Sequence, residues 1–134
     1  MDKMRSEKRK YIRFLSQDRA YAAFGTHFSK VGKLKDISIG GLAFEYIENT
    51  GVSQGDFSKV AIFHSENEFY LSDLACKLIY DHPIGVMNKK SIFKSRYPIK
   101  RCAVQFTAIT ADQEKKLEFF LDNYTIGLTP RRKT

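Results

Sequence analysis

Asp36-Ile37-Ser38-Ile39-Gly40-Gly41 joins two runs of strand-like sequence. Lys33-Leu34-Lys35 enters it and Leu42-Ala43-Phe44-Glu45-Tyr46 leaves it. In extended chain, side chains two apart point the same way. Asp36 and Ser38 therefore share one face of a strand end, and Ile37 and Ile39 share the other. One face offers a carboxylate beside a hydroxyl, with apolar side chains beneath. Gly40 and Gly41 can take positive φ and let a ligand or another segment approach the backbone. Taken alone, the stretch also reads as a plain hairpin turn, with Asp36 and Ser38 bonding local backbone.

Working outward, short alternating segments recur. Arg19 to Phe24 reads as a first strand, Lys33 to Ile37 as a second and Gly41 to Ile47 as a third. A polar loop follows from Glu48 to Phe57. Lys59 to Phe63 is a fourth strand, Glu68 to Leu71 a short piece, and Asp73 to Tyr80 another strand. Asp81 to Arg96 reads as a looser insertion, with Asp81-His82 as a turn before Pro83, and Tyr97 to Thr107 as the final strand. Many short strands between turn residues point to an antiparallel sandwich or barrel. A helix closes the order. Thr110 is an N-cap, and Gln113 three residues on completes a capping box. Asp112 and Glu114 suit the positive helix start. Leu117, Phe120, Leu121 and Tyr124 then make one apolar stripe, suited to a barrel mouth. Gly127 and Pro130 end the ordered part.

A chain of 134 residues falls in the one-domain range. Its 11 Phe and 7 Tyr require a core to hide in. The formal charge is +8, but it is uneven. Lys3, Arg5, Lys8, Arg9, Lys10 and Arg13 outweigh Asp2 and Glu7 in the first 13 residues, and Arg131-Arg132-Lys133 adds a basic tail. The body between has 14 basic and 13 acidic residues, which argues against a broad nucleic-acid-binding face. The charged N-terminus has no secretory h-region, and no apolar run is long enough to span a membrane. Cys76 and Cys102 lack metal spacing and read as free core thiols in a reducing cytoplasm. Tyr80 shares their alternation and reads as core, with a stacking platform as the alternative. His27, His64 and His82 are scattered without metal-ligand spacing. There is no Gly-x-Ser-x-Gly elbow and no phosphate loop. Nothing points to an enzyme, a metal or a cofactor.

The basic arm carries Arg9-Lys10-Tyr11-Ile12-Arg13, two arginines four apart. An arginine fork can bond a phosphate or the Hoogsteen edge of guanine, and it can stack on a base. Arg9-x-x-x-Arg13 followed by Asp36-x-Ser38-x-x-Gly41 resembles the paired signature of the PilZ domain, a family of bacterial receptors for the second messenger cyclic di-GMP. Either half alone is unspecific. Together they stand in the family's order, with the arginines just before the first strand, and the resemblance covers about residues 5 to 124.

The resemblance implies a six-stranded antiparallel β-barrel with a C-terminal α-helix and a flexible basic N-terminal arm. Residues 1–13 would be the arm, 14–126 the barrel with its helix at about 110–124, and 127–134 a basic tail. It also implies a ligand site. Arg9 and Arg13 would bond phosphate and guanine acceptors. Asp36, an acceptor when ionised, would complement the N–H and amino groups of guanine and disfavour adenine. Ser38 would donate a hydrogen bond, and Gly41 would keep the backbone clear. Lys8, Gly40 and Arg5 are secondary candidates. The ligand would bind as one molecule or a stacked dimer. The arm would wrap the barrel on binding and signal to a downstream protein partner. Two other readings stay open: a PilZ-fold protein-interaction module that binds no nucleotide, and a small nucleic-acid binder working through its basic ends.

Overall fold

The computed structural model describes residues 12–25, 28–48, 57–88 and 96–128. Eight strands and one helix follow in order: β1 (Phe14–Ser16), β2 (Ala20–Phe24), β3 (Lys30–Ser38), β4 (Gly41–Ile47), β5 (Lys59–His64), β6 (Phe69–Asn88), β7 (Arg96–Ala108), α1 (Ala111–Asn123) and β8 (Thr125–Leu128). Strands β2, β5, β6, β7, β4 and β3 pair in that order, and β2 also pairs with β3 to close the ring. Every pairing is antiparallel. The result is the six-stranded barrel that the resemblance implied.

Alternation explains the core. Leu42, Phe44 and Tyr46 of β4 point inward, as do Cys102, Val104 and Phe106 of β7. Phe24, Ile37, Ile62 and Leu74 are almost wholly buried among them. Helix α1 packs on this cluster through Leu117 and Phe120, with Leu121 and Tyr124 at its margin. Its capping box is formed: the Thr110 hydroxyl accepts from the Gln113 N–H at 3.1 Å, and the Gln113 side chain accepts from the Thr110 N–H at 3.1 Å. Gln113 also donates to the Ser72 and Asp73 carbonyls, which ties the helix start to β6.

The long strand β3 is shared. Its first part, Lys30 to Lys33, pairs with β2, and Asp36 and Ile37 pair with Leu15 and Phe14 of β1. Strand β8 pairs with the other side of β1. Neither β1 nor β8 follows from alternation in the sequence, because each is too short to show a period and is held by its neighbour. Strand β8 runs to Leu128, one residue past Gly127, where order was expected to end.

The stretch from Glu68 to Arg96 corrects the expectation. The short piece, the following strand and the first half of the insertion, Asp81 to Asn88, form the single strand β6, which pairs with β7 out to Asn88 and Arg96. Asp81 and His82 therefore lie in a strand and not in a turn. Register shifts at Ala75/Cys76, Leu78/Tyr80 and Pro83/Gly85 break the two-residue period. Beyond Ala75, β6 pairs with β7 on one side, and among the described residues no strand pairs with it on the other. Pro83, which lacks an N–H, is tolerated at such an edge.

Candidate functional site

One register shift re-aims the site. Leu34 pairs with Phe44 and Asp36 with Ala43, so Lys35 is an extra residue in β3. Leu34 and Ile37, three apart, both face the core, whereas Asp36 turns to the outer surface of the barrel. Asp36 and Ser38 do share a face, as expected. Both are nonetheless buried, at 5% and 4% exposure.

Two arginines cover Asp36. Arg13, just before β1, donates from Nη1 to one carboxylate oxygen at 3.2 Å. Arg101 of β7 donates from Nη2 to the other at 2.8 Å. The β1–β3 pairing brings Arg13 there, by setting Phe14 opposite Ile37 and Leu15 opposite Asp36. This joins one residue of the arginine motif to one of the Asp-x-Ser motif. Arg9, Lys8 and Arg5 lie outside the described residues.

Arg101 is the functional candidate that the sequence did not disclose. Its Nε donates to the Tyr80 hydroxyl at 3.1 Å and its Nη1 to the Glu45 carboxylate at 3.0 Å. Asp36, Ala43, Ala103 and Tyr80 form one row across four strands. The guanidinium bridges the two ends of that row and so crosses a floor of two small side chains. Burial works against its charge, but the bonds to Tyr80, Asp36 and Glu45 hold its pKa above the ordinary value. The only hint in the sequence is a basic residue alternating outward with Cys102, Val104 and Phe106 inward. Such positions are usually solvated, and only the strand order shows what Arg101 meets.

Tyr80 is not core. It is half-buried on the outer face, and its ring stacks on His82 at 4.6 Å with 16° between the planes. Leu78 is 47% exposed, so the inward alternation expected from Leu74 through Tyr80 fails after Cys76, where the register shifts intervene.

Ser38 follows the plain turn reading. Its Oγ accepts from the Gly40 N–H at 3.0 Å and lies 3.4 Å from the Gly41 carbonyl, to which it donates. The Gly40 carbonyl accepts from Phe106 N–H at 2.9 Å. A Cβ on Gly41 would sit 2.3 Å from the Val104 carbonyl oxygen. The segment that needs this glycine is therefore strand β7. Gly41 does not use positive φ, which among the described glycines belongs to Gly25 and Gly127.

A second polar group lies where Asp81 of β6 pairs with Cys102 of β7. The Tyr46 hydroxyl donates to both Asp81 oxygens at 2.7 and 2.9 Å, with Lys100 and Lys30 at 3.8 and 4.0 Å from that carboxylate. Burial first, and then Asp81, push the Tyr46 hydroxyl well above its ordinary pKa. His64 is buried too. Its Nδ1 accepts from the Glu66 N–H at 3.2 Å, and its Nε2 lies 3.2 Å from the Gln17 side-chain oxygen. Among the described residues no cluster of His, Cys, Asp and Glu could hold a metal. No helix there is long and apolar enough to cross a membrane.

No family profile and no curated protein sequence matches the chain. Solved structures do. The PilZ domain of YcgR from Escherichia coli, with c-di-GMP, aligns with a TM-score of 0.58 at 13% identity, over 88% of this chain and 92% of that one. MrkH of K. pneumonia in its apo state aligns with a TM-score of 0.60 at 13% identity, over 91% of this chain and 51% of that one. A structure of MrkH described as a c-di-GMP-dependent transcription regulatory factor aligns at 0.58 with 15% identity, over 87% and 50%. The chain thus spans about half the length of MrkH. At these identities the likeness is one of fold, and together with the closed barrel and its terminal helix it establishes that this chain adopts the PilZ-type fold.

Proposed function

We propose that this protein is a receptor for cyclic di-GMP that acts on a downstream protein through its N-terminal arm, without chemistry of its own. The observation that carries the reading is the contact between Arg13 and Asp36. Two residues singled out 23 positions apart by their place in two motifs meet on the outer face of the barrel. The fold is also that of domains solved with this ligand. Arg13 and Arg101 neutralise Asp36 within the chain. A ligand with phosphates for the arginines and guanine N–H groups for the carboxylate could replace both partners at once. Because Arg13 leads directly into β1, a change of its partner would pull on the arm. Ser38 would have to turn from the Gly41 carbonyl to donate to the ligand.

Calorimetric titration with cyclic di-GMP tests this. Arg13→Ala should weaken binding roughly ten- to hundred-fold, the loss of one charged hydrogen-bond partner. Asp36→Asn keeps the shape but replaces one acceptor oxygen with a donor, and should erode the preference for cyclic di-GMP over cyclic di-AMP. No binding by the native protein would overturn the reading. Hydrogen exchange over residues 5–14 tests the arm, and equal protection with and without ligand would remove it from the mechanism. One observation favours a second reading. Both oxygens of Asp36 are already satisfied within the chain, as they would be in an interaction module that takes no nucleotide. Such a module would show no heat with either dinucleotide.

A further inference from the structure

Glu45 is a carboxylate at the edge of a site read as taking a dianion, and the ligand reading gives it no task. It sits on β4 opposite Lys33 of β3 and Arg101 of β7. Its Oε2 accepts from Arg101 Nη1 at 3.0 Å, while Arg101 Nη2 reaches Asp36 at 2.8 Å. The two carboxylates therefore occupy neighbouring nitrogens of one guanidinium. Asp36 does not need Glu45, since its own oxygens are bonded by Arg13 and Arg101. Among the described residues Arg13 and Arg101 meet Asp36 and Glu45, so each of these two arginines already has a carboxylate partner within the chain. Glu45 is partly exposed, at 27%, and its field reaches the site through water as well as through Arg101.

Building on the cyclic di-GMP reading, we propose that Glu45 sets the affinity of this site. It is a counter-charge that occupies Arg101 and opposes the phosphates on entry. The ligand must compete with it, so binding is held weaker than the two arginines alone would make it. Glu45 thereby tunes the messenger concentration at which the protein responds, while the choice of base stays with Asp36.

Glu45→Gln keeps the size and one acceptor oxygen for Arg101, removes the charge and turns the other oxygen into an amide donor. Titrated with cyclic di-GMP at low salt, this variant should bind roughly three- to tenfold tighter than the native protein, the scale of one partly screened charge. At high salt the gap should narrow, because screening removes the repulsion. Its preference over cyclic di-AMP should not change. Glu45→Ala, with thermal melting to verify the fold, should shift affinity in the same direction. Equal or weaker binding by Glu45→Gln, with the native protein binding, overturns the proposal and leaves the receptor reading intact. A gain that salt does not alter also overturns it, since that would be a change of shape. If neither the native protein nor the variant binds, the receptor reading falls and this proposal falls with it.

Discussion

Asp36 is buried yet fully bonded, and that combination depends on one extra residue. Without the bulge at Lys35, Asp36 would share a face with Leu34 and would point into the core. An unpaired carboxylate there would be prohibitively costly. The motif spacing was legible in the sequence, but the bulge that makes it workable was not, because Leu34-Lys35-Asp36-Ile37 looks like ordinary alternation up to Asp36. Gly41 shows the reverse case. The sequence marks it as a place of close approach, and the approaching group is the Val104 carbonyl, 2.3 Å from where a Cβ would stand. Gly41→Ala should therefore destabilise the protein by about 1–3 kcal/mol, the usual cost of overpacking, and a urea melt would read it. A neutral result would mean that β7 yields easily at this point.

At the scale of elements, the helix is local and the strands are not. Thr110, Gln113 and the stripe from Leu117 to Tyr124 specify α1 within one short stretch, and the cap and the stripe form as read. Thr110→Ala should cost about 1 kcal/mol by loss of the N-cap bond, measured as a lower denaturation midpoint. Phe120 is wholly buried against Phe69 and Tyr124. Phe120→Ala should cost about 3–5 kcal/mol; a much smaller loss would mean that the helix is a cover and not part of the core. Strands β1 and β8 behave differently. Each is short, and each exists because a neighbour supplies its hydrogen bonds. The first delivers Arg13 to Asp36, so the element least visible in the sequence is the one that assembles the site. Strand β6 runs past β5, and that part, unpaired on its outer side among the described residues, is interrupted by register shifts and by Pro83. Such features discourage pairing with another chain.

Over the whole molecule, the closed barrel keeps its two thiols from water. Burial pushes Cys76 up to about 11 and Cys102 up to about 12. Both folded values lie above the ordinary thiol value of 9.0, so the folded state holds these protons more tightly than the unfolded state does. Their contribution to stability is complete below that ordinary value and fades as pH rises through 11 and 12. Chemical melts at rising alkaline pH should show this loss, and Cys76→Ala should flatten it. A thiol reagent at neutral pH should label neither cysteine until the protein unfolds. By itself, the sequence determined what alternation and spacing can encode: a β-rich domain with a terminal helix, two core thiols, and the pairing of an arginine motif with an Asp-x-Ser-x-x-Gly turn. Those are relations between residues close in the chain, or between short motifs each readable alone. The tertiary structure decided the closure of the ring through β2 and β3, the reach of β6, the outward turn of Asp36, and the meeting of Arg101 with Asp36, Glu45 and Tyr80. Arg101 lies 65 residues from Asp36 and 56 from Glu45. Strand order and register alone bring such residues together, and both are set by which strands can bury their inner faces at the same time.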